Sequence, residues 1–393
     1  MLAKKTLHKL FVCLSVFMLA TGRFYDDRLS IGDFNFSIFF SSLYLIALIC
    51  LVLTIKEINI TPLKFLQYFF ISLVIAFNLF YWGVNDFTDY GFTKFLNFIL
   101  ITAPLIFIYS EKMENADLSL FIYLLFSVSF LLLSLSFLNF SSLSLERGGV
   151  LGGGPIVLSR WLCLGALLSF FFQPLKKYRL FLFPLFVLAA LFTGSRGPLL
   201  ALMLTFLLFI VFNFRKIFFK AIAILSIVIV LIFSSGIIKY FQDFSTVVRI
   251  FNNFNNSSGR TAIYEVAVND FLNQPLGFGL GNWHCNSLNQ SYLSTYKFQY
   301  PHNIFLEIFL ELGVFVGIVF VFFLIFTFVN SLKYIKCNNK DEISILFFYM
   351  FVYLFLNAQV SGDLNDSRLL FVVIAVLITL NNKYKSSQRL LNE

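Results

Sequence analysis

Four short motifs in this chain put arginine, glycine or histidine where an anion and a proton would have to be handled. In Arg147-Gly-Gly-Val-Leu-Gly-Gly-Gly154-Pro155, successive glycine N–H groups can approach an anion closely, and Arg147 adds charge. In Thr193-Gly-Ser-Arg196-Gly-Pro198, a tight turn between two apolar runs holds Arg196 near a membrane surface. A charge there is costly unless paired, and a planar five-donor fork suits a phosphate. In Gly259-Arg260-Thr261, Arg260 opens a helical pattern, where free N–H groups and the helix dipole already favour anions; Arg249 precedes it. In Pro301-His302-Asn303-Ile-Phe-Leu-Glu307-Ile-Phe-Leu-Glu311-Leu-Gly313, proline fits a first helical turn, so a helix is expected to start there with His302 at its mouth. Asn303, Glu307 and Glu311 then fall on one polar stripe of an apolar helix, which is expected to face an interior or a cavity. A helix N-terminus disfavours imidazolium, and a neutral imidazole is what a general base needs.

Each motif has an ordinary alternative: a flexible turn, a snorkelling arginine, a solvated loop arginine, or a histidine satisfied by a neighbour. Convergence argues for the functional reading, with arginines for a diphosphate and a histidine for a proton. No Walker loop, GxSxG or Asp-rich metal motif is present, and the five cysteines form no CxxC.

The elements that must position these residues are set by composition. The chain has 393 residues, 59% hydrophobic and 12% charged, with 56 Phe and a mean hydropathy of +0.86. Soluble domains average about 45–50% apolar and about 25% charged, so lipid is the solvent here. The apolar runs are continuous rather than alternating, which selects helices over a β-barrel. Twelve spans are expected: about 9–22, 36–54, 65–83, 93–109, 118–138, 156–173, 180–194, 198–213, 217–235, 303–329, 343–359 and 369–381. Met1–Leu10, with Lys4, Lys5 and Lys9, resembles a signal-peptide start but is expected to lead a retained first helix.

With the N-terminus inside, 18 of the 29 Lys and Arg fall in inside segments and 10 outside, with Arg160 within a span. This distribution puts both termini in the cytoplasm. It also accounts for the net charge of +9 without nucleic acid. The expected fold is all-α, one polytopic transmembrane bundle over residues 1–393 with a long, partly helical periplasmic loop at 236–302. All four motifs then lie on the outer side, where no nucleotide triphosphate is at hand and a lipid diphosphate is the natural energy-rich donor.

At these residues the sequence resembles the O-antigen ligase and O-antigen polymerase superfamily. The matching pieces are Ser195-Arg196-Gly197, Gly259-Arg260-Thr-Ala-Ile-Tyr-Glu265 leading to Pro275-Leu-Gly-Phe-Gly279, and His302-Asn303 with Glu307 and Gly313. They span about 195–315, and their order around one long loop carries the likeness. The resemblance implies a GT-C-like glycosyltransferase that uses undecaprenyl-diphosphate-linked glycan and no cofactor. It implies Arg196 and Arg260 as diphosphate ligands and His302 as activator of the acceptor hydroxyl for inverting attack. Arg147 and Arg249 would assist with charge, and Asn303, Glu307 and Glu265 would support the site. The leaving diphosphate is already charged, so no metal is expected. Implied partners are the lipid-linked oligosaccharide, membrane lipids, a chain-length regulator and a flippase. A polymerase is the expected activity, on the Pro-His-Asn-Ile-Phe-Leu-Glu ending of the loop; a ligase to lipid A–core and a lipid-linked oligosaccharide transporter are the alternatives.

Overall fold

Backbone N–H and C=O groups inside a bilayer must find partners within the chain, and continuous apolar runs do this as helices. The computed structural model describes residues 2–55, 58, 60–84, 88–111, 113–139, 154–212, 260–287, 290, 293, 300–337 and 341–392. Its helices are α1 (Leu2–Thr21), α2 (Phe36–Leu53), α3 (Pro62–Val84), α4 (Asp89–Asn97), α5 (Ala103–Glu111), α6 (Asn115–Asn139), α7 (Pro155–Phe171), α8 (Arg179–Phe192), α9 (Arg196–Phe212), α10 (Arg260–Asn273), α11 (Trp283–Asn286), α12 (Ile304–Cys337), α13 (Glu342–Ala358) and α14 (Arg368–Asn392). A two-stranded hairpin pairs Ser30–Ile31 with Phe34–Asn35. Local chemistry sets several starts. The Asn35 side chain accepts from Ser37 N and Ile38 N and so begins α2, and Thr88 caps α4 through Gly91 N. Pro155 occupies the first turn of α7.

Among the described residues, five helical stretches are long and apolar enough to cross a bilayer: α2, α3, the α4–α5 stretch Asp89–Glu111, α6 and α12. The chain is therefore a helical membrane protein, with five such stretches among the described residues against the twelve spans expected. The sixth and seventh are a pair bent by 97°, a broken span or a re-entrant loop. The reason is local: Pro174 follows the end of α7 and cannot continue it, and a 3-10 segment, Gln173–Tyr178, intervenes. Among the described residues, α9, α13 and the first part of α14 are shorter apolar helices. The expected span 217–235 lies outside the described residues.

The chain packs as two compact units. The first comprises Met1–Leu124, Gly259–Phe351 and Ala358–Glu393, and the second Leu125–Ser258 and Val352–Asn357. In the second, α7 packs on α8 and α9, Gly165 lies close under the Phe186 ring, and Tyr353 Oη donates to Arg160 O at 2.9 Å.

In the first unit, α12 packs along α3, α14 packs on α5 and α12, and α10 lies on α12. Phe70, Phe320, Phe323 and Phe371 form its ring core. Polar contacts gather the helix ends into two groups. One group holds Lys64 and Tyr68 with Glu111, His8 with Asp117, and Asn382 with Thr61. The other holds Thr88 with Asn282, Tyr90 with Asp363, Asn303 with Gln359, and Arg368 with Met18 O. The Lys and Arg distribution expects the first group on the inner side and the second on the outer.

The feature that shapes the outer group is a break in α12. Gly313 has φ 79° and ψ 174°, a conformation essentially confined to glycine. The break turns the carbonyls of Leu310 and Glu311 away from the helical ladder. They accept instead from Phe278 N at 3.0 Å and Gly279 N at 2.8 Å, while Val314 N donates to Pro275 O at 2.9 Å. Two glycines make this approach possible, since a Cβ on Gly313 would meet the Leu276 backbone and one on Gly277 would meet the Gly313 and Glu311 backbones. Gly313→Ala should therefore cost at least the ~1–3 kcal/mol of a strained backbone position. The expected result is a lower detergent-solution melting temperature than wild type, with Gly83→Ala, whose Cβ meets open space, as the control.

Candidate functional site

The break at Gly313 leaves Ile304–Leu312 as a short helical stub, and the candidate residues are arranged around it. Asn303 is its cap: the side-chain Oδ1 accepts from Phe305 N at 3.0 Å and Leu306 N at 3.1 Å, and Nδ2 donates to Gln359 O at 3.1 Å. The helix thus starts at Ile304, not at the Pro301–His302 turn expected from sequence, because the asparagine carboxamide satisfies N–H groups that a proline start would leave open.

His302 stands outside the helix, in the residue before the cap. Its φ is 57°, and it is the one non-glycine residue with positive φ among those described. Such a conformation persists only where the surroundings impose it, and it is a feature of functional sites. The imidazole is partly exposed and meets the Tyr300 ring edge to face, with centroids 4.5 Å apart.

One turn into the stub the polar stripe turns inward, as its spacing predicts. Glu307 and Glu311 are both fully buried, and both accept from Lys94 of α4, which is also fully buried. Lys94 Nζ pairs with Glu307 and bonds both oxygens of Glu311, at 2.9 and 2.7 Å. Glu307 Oε1 also accepts from Leu364 N at 2.9 Å, while its Oε2 is buried without a hydrogen-bond partner among the described residues. Tyr90, one turn before Lys94, donates to Asp363 at 2.9 Å, and Asn365 donates to Lys94 O at 3.1 Å. Removing one partner from a buried pair typically costs about 3–5 kcal/mol, because the other charge is left uncompensated.

The long loop docks on the same end. Its core is Ile263, Ala267, Phe278, Trp283, Leu293 and Leu310. Asp270 ties it internally, accepting from Trp283 Nε1 at 2.7 Å and Ser287 Oγ at 2.6 Å. Asn282 Oδ1 accepts from Thr88 N and Oγ1, and Leu280 N donates to Asn78 Oδ1. In α11, His284 Nε2 lies 3.2 Å from Cys285 Sγ. Burial holds the His284 imidazole below its usual range, and the Lys94 charge acts the same way; burial pushes the Cys285 thiol up. Both effects favour the neutral forms, so this pair is not an activated thiolate.

Arg260 is the first residue of α10, the helix that packs on α12; its side chain lies outside the described residues. Glu265 is exposed on α10. Arg196 belongs to the second unit, where it opens α9 after a turn with Gly194 at φ 70° and is partly buried. Arg147 and Arg249 lie outside the described residues. The structure thus brings His302, Asn303, Glu307 and the start of α10 into one unit.

Sequence reasoning passed over Lys94, Asp363 and Tyr90. Lys94 had entered only as an outside positive charge. A lysine in the first turns of an apolar span was itself the available signal, since such charges are rare and partnered.

The sequence profile of the O-antigen ligase family matches residues 180–321. The matched stretch contains Arg196, Arg249, Arg260, Glu265, His302, Asn303 and Glu307, and ends beyond the Gly313 break. No curated protein matches the chain. The profile supports the O-antigen polymerase and ligase superfamily, and with it a glycosyltransferase-like function of ligase or polymerase type in a membrane. Both activities fit the profile. Asn303→Ala should destabilise the stub by about 1 kcal/mol through loss of the cap, and Asn303→Asp by less. Melting temperatures in detergent would check both, and equal losses would refute the cap.

Proposed function

We propose that this protein is an O-antigen (oligosaccharide repeat unit) polymerase of the bacterial inner membrane. It transfers undecaprenyl-diphosphate-linked glycan to another lipid-linked repeat unit at the periplasmic face. The supporting observation is His302: a partly exposed imidazole in a left-handed conformation, directly ahead of a capped helix whose next turns are held by a buried ion-pair cluster. Both termini are cytoplasmic in this reading.

In the reaction, Arg196 and Arg260, with Arg147 and Arg249, hold the donor diphosphate. Guanidinium forks suit its paired oxygens. His302 takes the proton of the acceptor hydroxyl as that oxygen attacks the anomeric carbon from the face opposite the diphosphate. The new glycosidic bond forms, the C–O bond to the diphosphate breaks, and configuration inverts. Undecaprenyl diphosphate leaves with the electron pair and needs no added proton, and the imidazolium returns its proton to water. The arginines supply the positive charge that a metal would otherwise bring. The lipid-linked oligosaccharide and membrane lipids are the direct partners, and a flippase and a chain-length regulator would act before and beside it.

His302→Ala should lower glycan transfer by about 10²–10⁴-fold, the usual worth of a positioned base, with protein abundance unchanged. Normal surface-glycan chain lengths in that variant would overturn the role. Arg260→Ala should raise the KM for the lipid-linked donor, with Arg260→Lys intermediate, since an ammonium keeps the charge and loses the fork. Ligase is the second reading, favoured by the family description matched at 180–321. Gel banding of lipopolysaccharide from a deletion strain separates the two. Loss of a polymerase leaves core capped with single repeat units, whereas loss of a ligase leaves uncapped core and accumulated lipid-linked polymer.

A further inference from the structure

We propose that Lys94 is the positioning residue for His302, acting through the stub Ile304–Leu312. The inference rests on the reading of His302 as the general base. The stub cannot take its orientation from the rest of α12, because the helical ladder is interrupted at Gly313. Among the described residues, polar contacts at three points hold it instead. At its foot, Leu310 O and Glu311 O accept from the Phe278 and Gly279 backbone. At its head, Asn303 Nδ2 reaches Gln359 O. Between them, Lys94 Nζ bonds Glu307 and Glu311 on successive turns of the same face.

Of the three, the Lys94 attachment is the charged one, and it joins three segments. Asn365 binds the Lys94 carbonyl, and Leu364 N binds Glu307 Oε1, so the 363–365 turn closes on the same point. Lys94 is completely buried, and neither its ammonium nor the two carboxylates has water to fall back on. Without the ammonium, two carboxylates one turn apart are left facing each other in a low-dielectric interior. The carboxyls then take up protons or move apart; in either case the bridge from α4 to two successive turns of the stub is lost, and the residue at its mouth is free to shift with it. A displacement of about 1 Å at a reacting group costs about 10²-fold in rate.

The test uses the full chain in membranes, with transfer measured per mole of accumulated protein on lipid-linked repeat units. Lys94→Met should lower kcat about 100-fold and leave the donor KM within about twofold, because the diphosphate ligands are untouched. Lys94→Arg, which keeps the charge, should recover at least about a tenth of wild-type kcat. The neutral set Lys94→Met, Glu307→Gln, Glu311→Gln leaves no uncompensated buried charge and should restore accumulation while transfer stays about 100-fold down. It also carries the test if Lys94→Met alone fails to accumulate. Wild-type transfer by the neutral set or by Lys94→Met, within about threefold, would overturn the proposal.

An activity-free readout separates this inference from the base assignment. His302→Cys in an otherwise cysteine-free chain should change its maleimide labelling rate at least about fivefold when Lys94→Met is added, following the shift of the stub. An unchanged labelling rate counts against Lys94. A changed rate in a protein whose His302→Ala variant still transfers glycan sinks the base assignment and leaves the positioning intact.

Discussion

A fully buried ammonium governs the end of the first unit where the long loop docks. Taking Lys94 out of water costs several kcal/mol, recovered only through close partners of opposite charge. Glu307 and Glu311 provide them, one helical turn apart on α12, and their remaining acceptor capacity draws in the 363–365 turn through Leu364 N. This one requirement fixes α4, the head of α12 and the entry to α14 against one another.

The second constraint is steric. The Pro275–Gly279 segment meets α12 backbone to backbone, which requires the missing side chains of Gly277 and Gly313. The carbonyls released by the helix break would be unsatisfied in an apolar setting, and the loop amides satisfy them. A long loop is thereby made a structural part of the membrane unit, held at its base by backbone hydrogen bonds and within itself by Asp270, which bonds both Trp283 and Ser287. The loop carries Arg260 at the head of α10 and ends at His302, so its docking governs where both groups stand.

These constraints explain why a residue with unfavourable backbone geometry persists at the candidate site. A left-handed histidine is held from both sides, by the capped stub that follows and by the Tyr300 ring that precedes it. A general base works by being held close to one geometry, and rigid supports below it serve that end. Stability and the geometry of the candidate site are therefore coupled here: the contacts that satisfy the buried charges hold the same helical stub that His302 precedes.

Much of this was legible in the residues. Composition alone required lipid as the solvent, because 56 phenylalanines have no place in a water-soluble fold of this size. Continuous apolar runs required helices. The i, i+4 spacing of Glu307 and Glu311 required one buried stripe, since two carboxylates on a span cannot face lipid. Tertiary structure decided the rest, for reasons that no local pattern carries. The partner of the stripe is Lys94, more than two hundred residues away in the chain, and hydropathy does not say which distant helix a buried charge will meet. Gly313 stood in the sequence as the end of the His302 motif, but that it breaks the helix and receives the loop depends on the distant Pro275–Gly279 segment. The helices α7 and α8, expected as two crossings, form a pair bent by 97°, because Pro174 sets a bend whose angle depends on packing. The sequence determined the solvent, the helices and the types of residue that could do chemistry; long-range pairing in a low-dielectric interior determined which of them stand together.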